Sequence, residues 1–77
     1  MDEHSGIFLM MLGKNIARLR KERGISQVQM ANEMEMDRSN LRRIEAGRTN
    51  PTTITLHRIS RVLDIKFEEL FDFKEKK

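Results

Sequence analysis

The sequence predicts a small all-α domain, and three observations lead to that fold class. Apolar residues recur at three- and four-residue steps along most of the 77 residues, which is the spacing of a buried stripe on an α-helix. No segment alternates apolar and polar residues strictly enough to indicate a β-strand. Residues that begin or end helices stand between the apolar segments. We therefore expect five helices around one small core, which is what a chain of this length supports.

The first predicted helix ends near Arg23. Its buried stripe consists of Leu9, Leu12, Ile16 and Leu19. Gly24 follows the charged segment RKER, and glycine at this place readily takes the left-handed conformation that stops a helix. We interpret residues 1–11 as an N-terminal leader, residues 12–71 as the domain and residues 72–77 as a C-terminal tail.

Two short helices follow, separated by a tight turn. Ser26 and, three residues later, Gln29 form a capping box, which predicts a sharp helix start at residue 26. This second helix extends to about Met34. Asp37 can cap a third helix, which lasts until Gly47. Because only about two or three residues separate these helices, we expect them to meet at a fixed, steep angle.

The last two predicted helices complete the domain. Thr52 caps the fourth helix. Its apolar positions are Leu56, Ile59, Val62 and Leu63. The fifth helix is the short segment FEELF, which places its apolar residues Phe67, Leu70 and Phe71 on one side.

The composition excludes several kinds of site. The chain contains no cysteine, which removes disulfides and thiolate metal sites. Its histidines, His4 and His57, lie far apart in sequence, so we expect no metal site, and no acid–base pair indicates an enzyme. The longest apolar run, IFLMML, is far shorter than the ~20 residues of a membrane helix. We therefore expect a cytoplasmic protein without cofactor or membrane partner.

Positive charge is concentrated in the middle of the chain. Residues 14–61 contain eleven Lys and Arg against five Asp and Glu, whereas the two ends together contain four against seven. A basic middle between acidic ends favours an anionic partner, although a helical surface with ordinary solvated lysines would give the same count.

The third helix has an outer face of a single sign. At ~100° per residue, Leu41 and Ile44 mark its buried side. The first turn and the opposite side carry Arg38, Ser39, Arg42, Arg43 and Ala46. A face that only needed to be soluble would usually mix acids with bases, so this one indicates a surface for a polyanion.

A short helix, a tight turn and a second helix with a cationic outer face describe a helix-turn-helix, which places its second helix in the major groove of DNA. The arginine fork suits O6 and N7 of guanine, or phosphate oxygens. Gln27 stands at the start of the second helix, where free backbone N–H groups favour a phosphate.

Several segments taken together carry a family resemblance: RLRKERGISQ, MA in place of the usual Leu-Ala pair, IEAG, NP and LDIKFEELF. With them, residues 12–71 resemble the phage-repressor family of DNA-binding domains, which includes lambda repressor and Cro and is also called XRE. The resemblance implies a lambda-repressor-like bundle of five helices with the third as recognition helix. It also implies a transcriptional regulator that binds double-stranded DNA.

The resemblance assigns roles to residues by motif position, and the outer face of the third helix adds Arg42. The expected DNA base contacts are Arg38, Ser39, Arg42 and Arg43. The expected phosphate contacts are Gln27, Asn40 and Arg48. A structural ion pair is expected between Arg20 and Glu45, and it ties the first helix to the recognition helix.

Two positions depart from the family pattern. Glu35 occupies the turn position that is usually glycine. A left-handed conformation costs a non-glycine residue ~1 kcal/mol, so we expect the turn to be strained or differently shaped. Lys66 stands where the last helix usually has a serine-like cap, so we expect that helix to start loosely.

One recognition helix covers too few base pairs to be specific in a genome, so we expect a homodimer on an inverted repeat. The predicted dimer surface lies at the end of the last helix and consists of Leu70, Phe71 and Phe73. The leader run from Ile7 to Met11 is the competing surface, unless the leader is incidental.

Within this family, a free-standing domain of this length resembles a phage-type repressor or a controller of restriction–modification genes. The DRS opening of the third helix favours the controller. The alternative is an antitoxin-type interaction module, which would bind a partner toxin as well as its own promoter. A neighbouring toxin gene would distinguish that alternative.

Overall fold

The structure is a computed structural model and describes residues 2–73. Its helices are α1 (Glu3–Glu22), α2 (Gln27–Glu33), α3 (Arg38–Glu45), α4 (Thr53–Leu63) and a 3-10 helix (Phe67–Phe71). No strand occurs within this range, and the predicted all-α class is confirmed. Residues 74–77 of the predicted tail lie outside the described residues.

α1 begins well before the predicted domain boundary at residue 12. The carboxylate of Asp2 accepts a hydrogen bond from the backbone N–H of Ser5 at 2.7 Å and caps the helix. Hydrogen bonding to Ser5 also lowers the pKa of Asp2. The helix then continues without interruption through the predicted leader to Glu22, and Leu9 within that leader is already buried.

The predicted caps stand at the starts of α2, α3 and α4. The Ser26 hydroxyl accepts from the N–H of Gln29 at 3.0 Å, and the Gln29 side chain accepts from the N–H of Ser26 at 2.8 Å, which completes the capping box. Thr52 accepts from the N–H of Thr55 at 3.1 Å. Asp37 occupies the cap position of α3, but its side chain makes no capping hydrogen bond.

The core draws buried side chains from every helix. On α1 they are the predicted stripe of Leu9, Leu12, Ile16 and Leu19. On the other elements they are Met30, Ala31, Met34, Leu41, Ile44, Leu56, Ile59, Leu63 and Leu70. Helices as short as α2 and α3, with seven and eight residues, are marginal in isolation and depend on this burial.

The four α-helices end in the same backbone motif. The N–H of a residue just beyond each helix, the third residue after the end of α1, α2 and α3 and the second after the end of α4, donates to a carbonyl five residues earlier, as in a Schellman motif. The residue before that donor is left-handed, and these residues are Gly24, Glu35, Gly47 and Asp64, with φ of 67°, 53°, 73° and 56°. Glu35 therefore keeps the left-handed turn and bears a cost of ~1–2 kcal/mol that glycine would avoid.

α1 crosses the end of α3 at close range, and two glycines permit the contact. A Cβ atom on Gly13 would lie 2.4 Å from the carbonyl oxygen of Glu45 and 2.5 Å from that of Ile44. A Cβ atom on Gly47 would lie 2.6 Å from the Cα atom of Met10. The C-terminal end of α3 is thus held directly against the backbone of α1.

The fifth element is a 3-10 helix, so the expected bundle of five α-helices is corrected to four α-helices followed by one 3-10 helix. Lys66 precedes it without a side-chain capping bond. Nδ2 of Asn15 donates to the carbonyl oxygens of Glu69 and Leu70 at 3.0 and 2.7 Å. These bonds from α1 satisfy carbonyls at the end of a segment too short for a stable α-helix.

Candidate nucleic-acid interface

The outer face of α3 is open to solvent and consists of Arg38, Ser39, Arg42, Arg43 and Ala46. On the opposite side, Leu41 is 0% exposed and Ile44 is 3% exposed. The outer face borders a shallow groove of about 360 Å³, lined by Ser39, Arg42, Arg43, Ala46 and Arg48. The groove joins α3 to the loop that follows it.

The positive charge of this surface is not balanced locally. The ion pairs of residues 2–73 are Arg18–Glu22 and Arg20–Glu45. The outer-face arginines and Arg48 belong to neither pair. Each unpaired guanidinium offers five N–H donors in a rigid fork, so the groove can receive a phosphate or the acceptor edge of a base.

The shape of α3 also suits a nucleic acid. An α-helix with its side chains is ~10–12 Å across, and the major groove of DNA is ~12 Å wide. Ser39 and Ala46 are short side chains on the outer face. They leave room for a nucleic acid to come close to the helix between the flanking arginines.

The turn between α2 and α3 is held by a side chain from α4. The guanidinium of Arg58 donates to the carbonyl oxygen of Met34, the C-cap residue of α2. A cation at the C-terminal end of a helix is also favoured by the helix dipole. Sequence reasoning missed Arg58, because no local pattern identifies a donor that acts across 24 residues of chain.

Glu45 connects α3 to α1. Its Oε2 accepts from Nε of Arg20 at 2.7 Å, and its Oε1 accepts from Nη2 of Arg20 at 3.0 Å. The side chain of Arg20 is only 8% exposed, and that of Glu45 is 7% exposed. Arg20 further donates to the carbonyl oxygen of Ile25 at 2.8 Å. The structure thus brings together the two residues of the expected ion pair in a bidentate geometry.

Glu45 also holds Gln27. Nε2 of Gln27 donates to Oε1 of Glu45 at 2.9 Å, so the side chain expected on a phosphate is anchored to α3. Gln27 is the first residue of α2, where the backbone N–H has no partner within the helix. Within residues 2–73 that N–H, the second Nε2 hydrogen and the amide oxygen have no hydrogen-bond partner, and the shared carboxylate links α1, α2 and α3.

The other two expected phosphate contacts lie in different settings. Arg48 is exposed and lines the same groove as Arg43. Asn40 is half-buried and lies outside that groove. At ~100° per residue, Asn40 is ~140° from Glu45 around α3, so it marks the opposite flank of the outer face.

An aromatic cluster of Phe8, Phe71 and Phe73 connects α1 to the C-terminal end of the described chain. The ring centroid of Phe8 lies 6.2 Å from that of Phe71 and 5.6 Å from that of Phe73. The predicted leader and the last helix therefore contact each other and do not form two separate surfaces. Leu70, predicted at the dimer surface, is 0% exposed and belongs to the core of its own chain, so that assignment is corrected.

Two other positioning residues gave little signal in the sequence. Gly13 interrupts a helical pattern, and a glycine there could have indicated a close backbone approach. Asn15 is 5% exposed and could only have been found as a polar residue beside the apolar stripe.

Two further findings concern membrane spans and metal ligands. None of the described helices is both long and apolar enough to cross a membrane. Residues 2–73 contain no cluster of three or more His, Cys, Asp or Glu that could hold a metal ion.

Comparison with known proteins agrees with the geometry. The profile of the helix-turn-helix family HTH_3 matches residues 16–70. An HTH-type transcriptional regulator of Sinorhizobium fredii is 37% identical over 60 residues, which cover 78% of this chain and 78% of that protein. Control protein C.MunI of a Mycoplasma species is 37% identical over 65 residues, which cover 83% of this chain and 88% of that protein.

The crystal structure of the restriction-modification controller protein C.AhdI from Aeromonas hydrophila superposes with a TM-score of 0.79 at 32% identity, over 82% of this chain and 96% of that one. Other matched regulators are longer, and this chain spans about two-fifths of their length. These relatives are transcriptional regulators and control proteins rather than enzymes. The chain is therefore a member of the HTH_3 family of DNA-binding transcriptional regulators, the XRE type.

Proposed function

We propose that this protein binds a specific double-stranded DNA sequence as a homodimer on an inverted-repeat operator. The observation that carries the proposal is the outer face of α3, which is cationic, free of acids and fixed to the core by Leu41 and Ile44. Like charges gathered on one face repel one another, and an incoming polyanion relieves that repulsion.

The base contacts fall to the arginines of α3, with Ser39 between them. The N-terminal residues of a recognition helix reach the base edges, and Arg38 is the first residue of α3. Arg42 and Arg43 follow one turn later, within reach of the next base pairs. An arginine fork matches O6 and N7 of guanine, so each bidentate contact is worth ~1–3 kcal/mol of discrimination.

The phosphate contacts position this reading face. Gln27 offers its free backbone N–H at the start of α2, and its hydrogen bond to Glu45 transmits the position of that phosphate to α3. Arg48 shares a groove with Arg43, so it follows the strand that Arg43 reads. Asn40 contacts a phosphate at the flank of the outer face opposite Glu45.

The proposed dimer surface is the aromatic cluster. Phe8 is 45% exposed, and Phe71 and Phe73 are half-buried, so the cluster leaves apolar surface that a second copy can cover. In a two-fold dimer the recognition helices would lie ~34 Å apart, about one turn of DNA.

Selection from a randomised duplex library tests the DNA-binding proposal. We expect an enriched inverted repeat, and binding that weakens by orders of magnitude between ~50 and ~200 mM salt as counterions are released. Enrichment of no duplex, or an affinity that does not change with salt, would contradict the proposal.

A double substitution tests the dimer surface. We expect Phe71→Ser with Phe73→Ser to give monomers in sedimentation and to weaken operator binding. Ile54→Ser is the matched control, because Ile54 is an apolar side chain that is 69% exposed and lies outside the cluster. A double variant that stays dimeric with unchanged affinity would place the interface elsewhere.

More specifically, we propose that the protein controls restriction–modification genes. Its support is the extent of the likeness, which covers 88% of C.MunI and 96% of C.AhdI. We expect footprinting of the DNA upstream of the protein's own gene to show a protected inverted repeat. A neighbouring toxin that forms a complex with this chain would instead favour the antitoxin-type module.

A further inference from the structure

We propose that a second cationic groove, on α1, binds phosphates of the same duplex beyond the base pairs that α3 reads. This inference rests on the proposed DNA-binding function. The groove, called the α1 groove below, measures about 500 Å³ and is lined by Lys14, Ala17, Arg18, Lys21, Glu22 and Glu45.

The α1 groove borders the outer face of α3. Glu45 is its only lining residue from α3, and Arg42 of the outer face lies ~60° from Glu45 around the helix. Gln27, a proposed phosphate contact, donates to Glu45 at 2.9 Å and so lies one hydrogen bond from the edge of the groove. A DNA strand held at Gln27 can therefore continue along α1.

Lys14 and Lys21 supply the free charge of the α1 groove. Both are exposed, and neither takes part in an ion pair or a side-chain hydrogen bond within residues 2–73. The two acids of the groove are already paired with arginines, in the pairs Arg18–Glu22 and Arg20–Glu45, each at 2.7 Å. An added anion therefore meets two unpaired ammonium groups.

The chemistry of the α1 groove fits phosphate better than base edges. Lysine carries a compact point charge on a flexible stem, which suits phosphate and lacks the fixed fork used to read guanine. Lys14 and Lys21 lie seven residues, or ~10.5 Å, apart on one side of α1. One strand of B-DNA advances ~3.4 Å along the axis per phosphate, so the two lysines reach different phosphates.

The test compares two double variants that lose the same charge. One is Lys14→Gln with Lys21→Gln, and the control is Arg61→Gln with Lys66→Gln, which removes two exposed cations outside the α1 groove. The probe is the duplex enriched by the wild-type protein, titrated at several salt concentrations. We expect the groove variant to lose about one unit of salt slope per lysine, with unchanged base preference, and the control to keep the wild-type slope.

Two further measurements define the site. Uncharged methylphosphonate linkages in the flanks of the duplex should weaken wild-type binding and leave the groove variant unaffected. Lys14→Arg with Lys21→Arg should keep the wild-type salt slope, which separates lost charge from a lost fold. If the groove variant and the control change the slope equally, the α1 groove inference is wrong while DNA binding stands; if the wild type binds no duplex, the proposed function is wrong as well.

Discussion

Arg20 and the arginines of the outer face of α3 have the same side chain in opposite surroundings. Arg20 is 7% exposed, and its guanidinium donates to both carboxylate oxygens of Glu45 and to the carbonyl of Ile25. Arg42 and Arg43 are exposed and have no ion-pair partner in the described range. Burial and pairing, rather than residue type, thus separate an arginine that holds the fold from one that is free for a ligand.

The largest expected effect comes from breaking the buried pair. Glu45→Ala leaves the Arg20 charge buried without its partner and also releases Gln27, so we expect the free energy of unfolding to fall by ~3–5 kcal/mol. Thermal and denaturant unfolding measure this change. Glu22→Ala is the matched control, because Glu22 pairs with Arg18 at the surface with 53% of its side chain exposed, and we expect a loss of at most ~1 kcal/mol. An equal loss of unfolding free energy in the two variants would mean that the buried pair of Arg20 stabilises the fold no more than the surface pair of Arg18.

Substitutions on the outer face of α3 are expected to have a smaller effect, and to change DNA binding rather than folding. Arg43→Ala should weaken binding to the preferred site by ~1–3 kcal/mol and relax the preference at one position of each half-site. The melting temperature should stay near that of the wild type, because Arg43 is exposed and pairs with no acid in the described chain. By contrast, we expect Gln27→Ala to weaken all sites about equally. Repeated selection with each variant measures this, and an unchanged motif for Arg43→Ala would mean that its role is misassigned.

The smallest expected effect belongs to Arg58, which is exposed yet bonded. Arg58→Ala removes the donor at the C-terminal end of α2, and we expect a stability loss of ~0.3–1 kcal/mol without a change in base preference. Arg61→Ala on the same helix is the control, because Arg61 is exposed and its side chain makes no hydrogen bond in the described range. A change in base preference with Arg58→Ala would instead place Arg58 among the residues that contact DNA.

Local signals predicted most of the fold. The apolar stripe of α1, the capping box at Ser26 and the glycines after α1 and α3 each act within one or two turns of chain, so they can be read from a short window. The form of the last helix could not be predicted from such a window. Its 3-10 form is accompanied by bonds from Asn15, more than 50 residues earlier, and no local pattern reports such a contact.

The candidate site likewise has features that local sequence predicts and features that depend on long-range contacts. Helical periodicity alone places the arginines of the outer face on one side of α3. Periodicity cannot show that Gln27 shares a carboxylate with Arg20, since that depends on three helices meeting at Glu45. Nor could it show that Phe8 contacts Phe71 and Phe73, because those residues are separated by nearly the whole domain.

The glycines that end α1 and α3 differ in how much change each tolerates over generations of mutation. Gly24 faces open space, so another residue there bears only the cost of its left-handed backbone. Gly47 bears that cost too, and in addition any side chain would collide with the backbone of Met10. Among descendants of this sequence, residue 24 can change to an acid, since Glu35 and Asp64 already occupy the same left-handed position, whereas residue 47 is confined to glycine for as long as α1 extends past it.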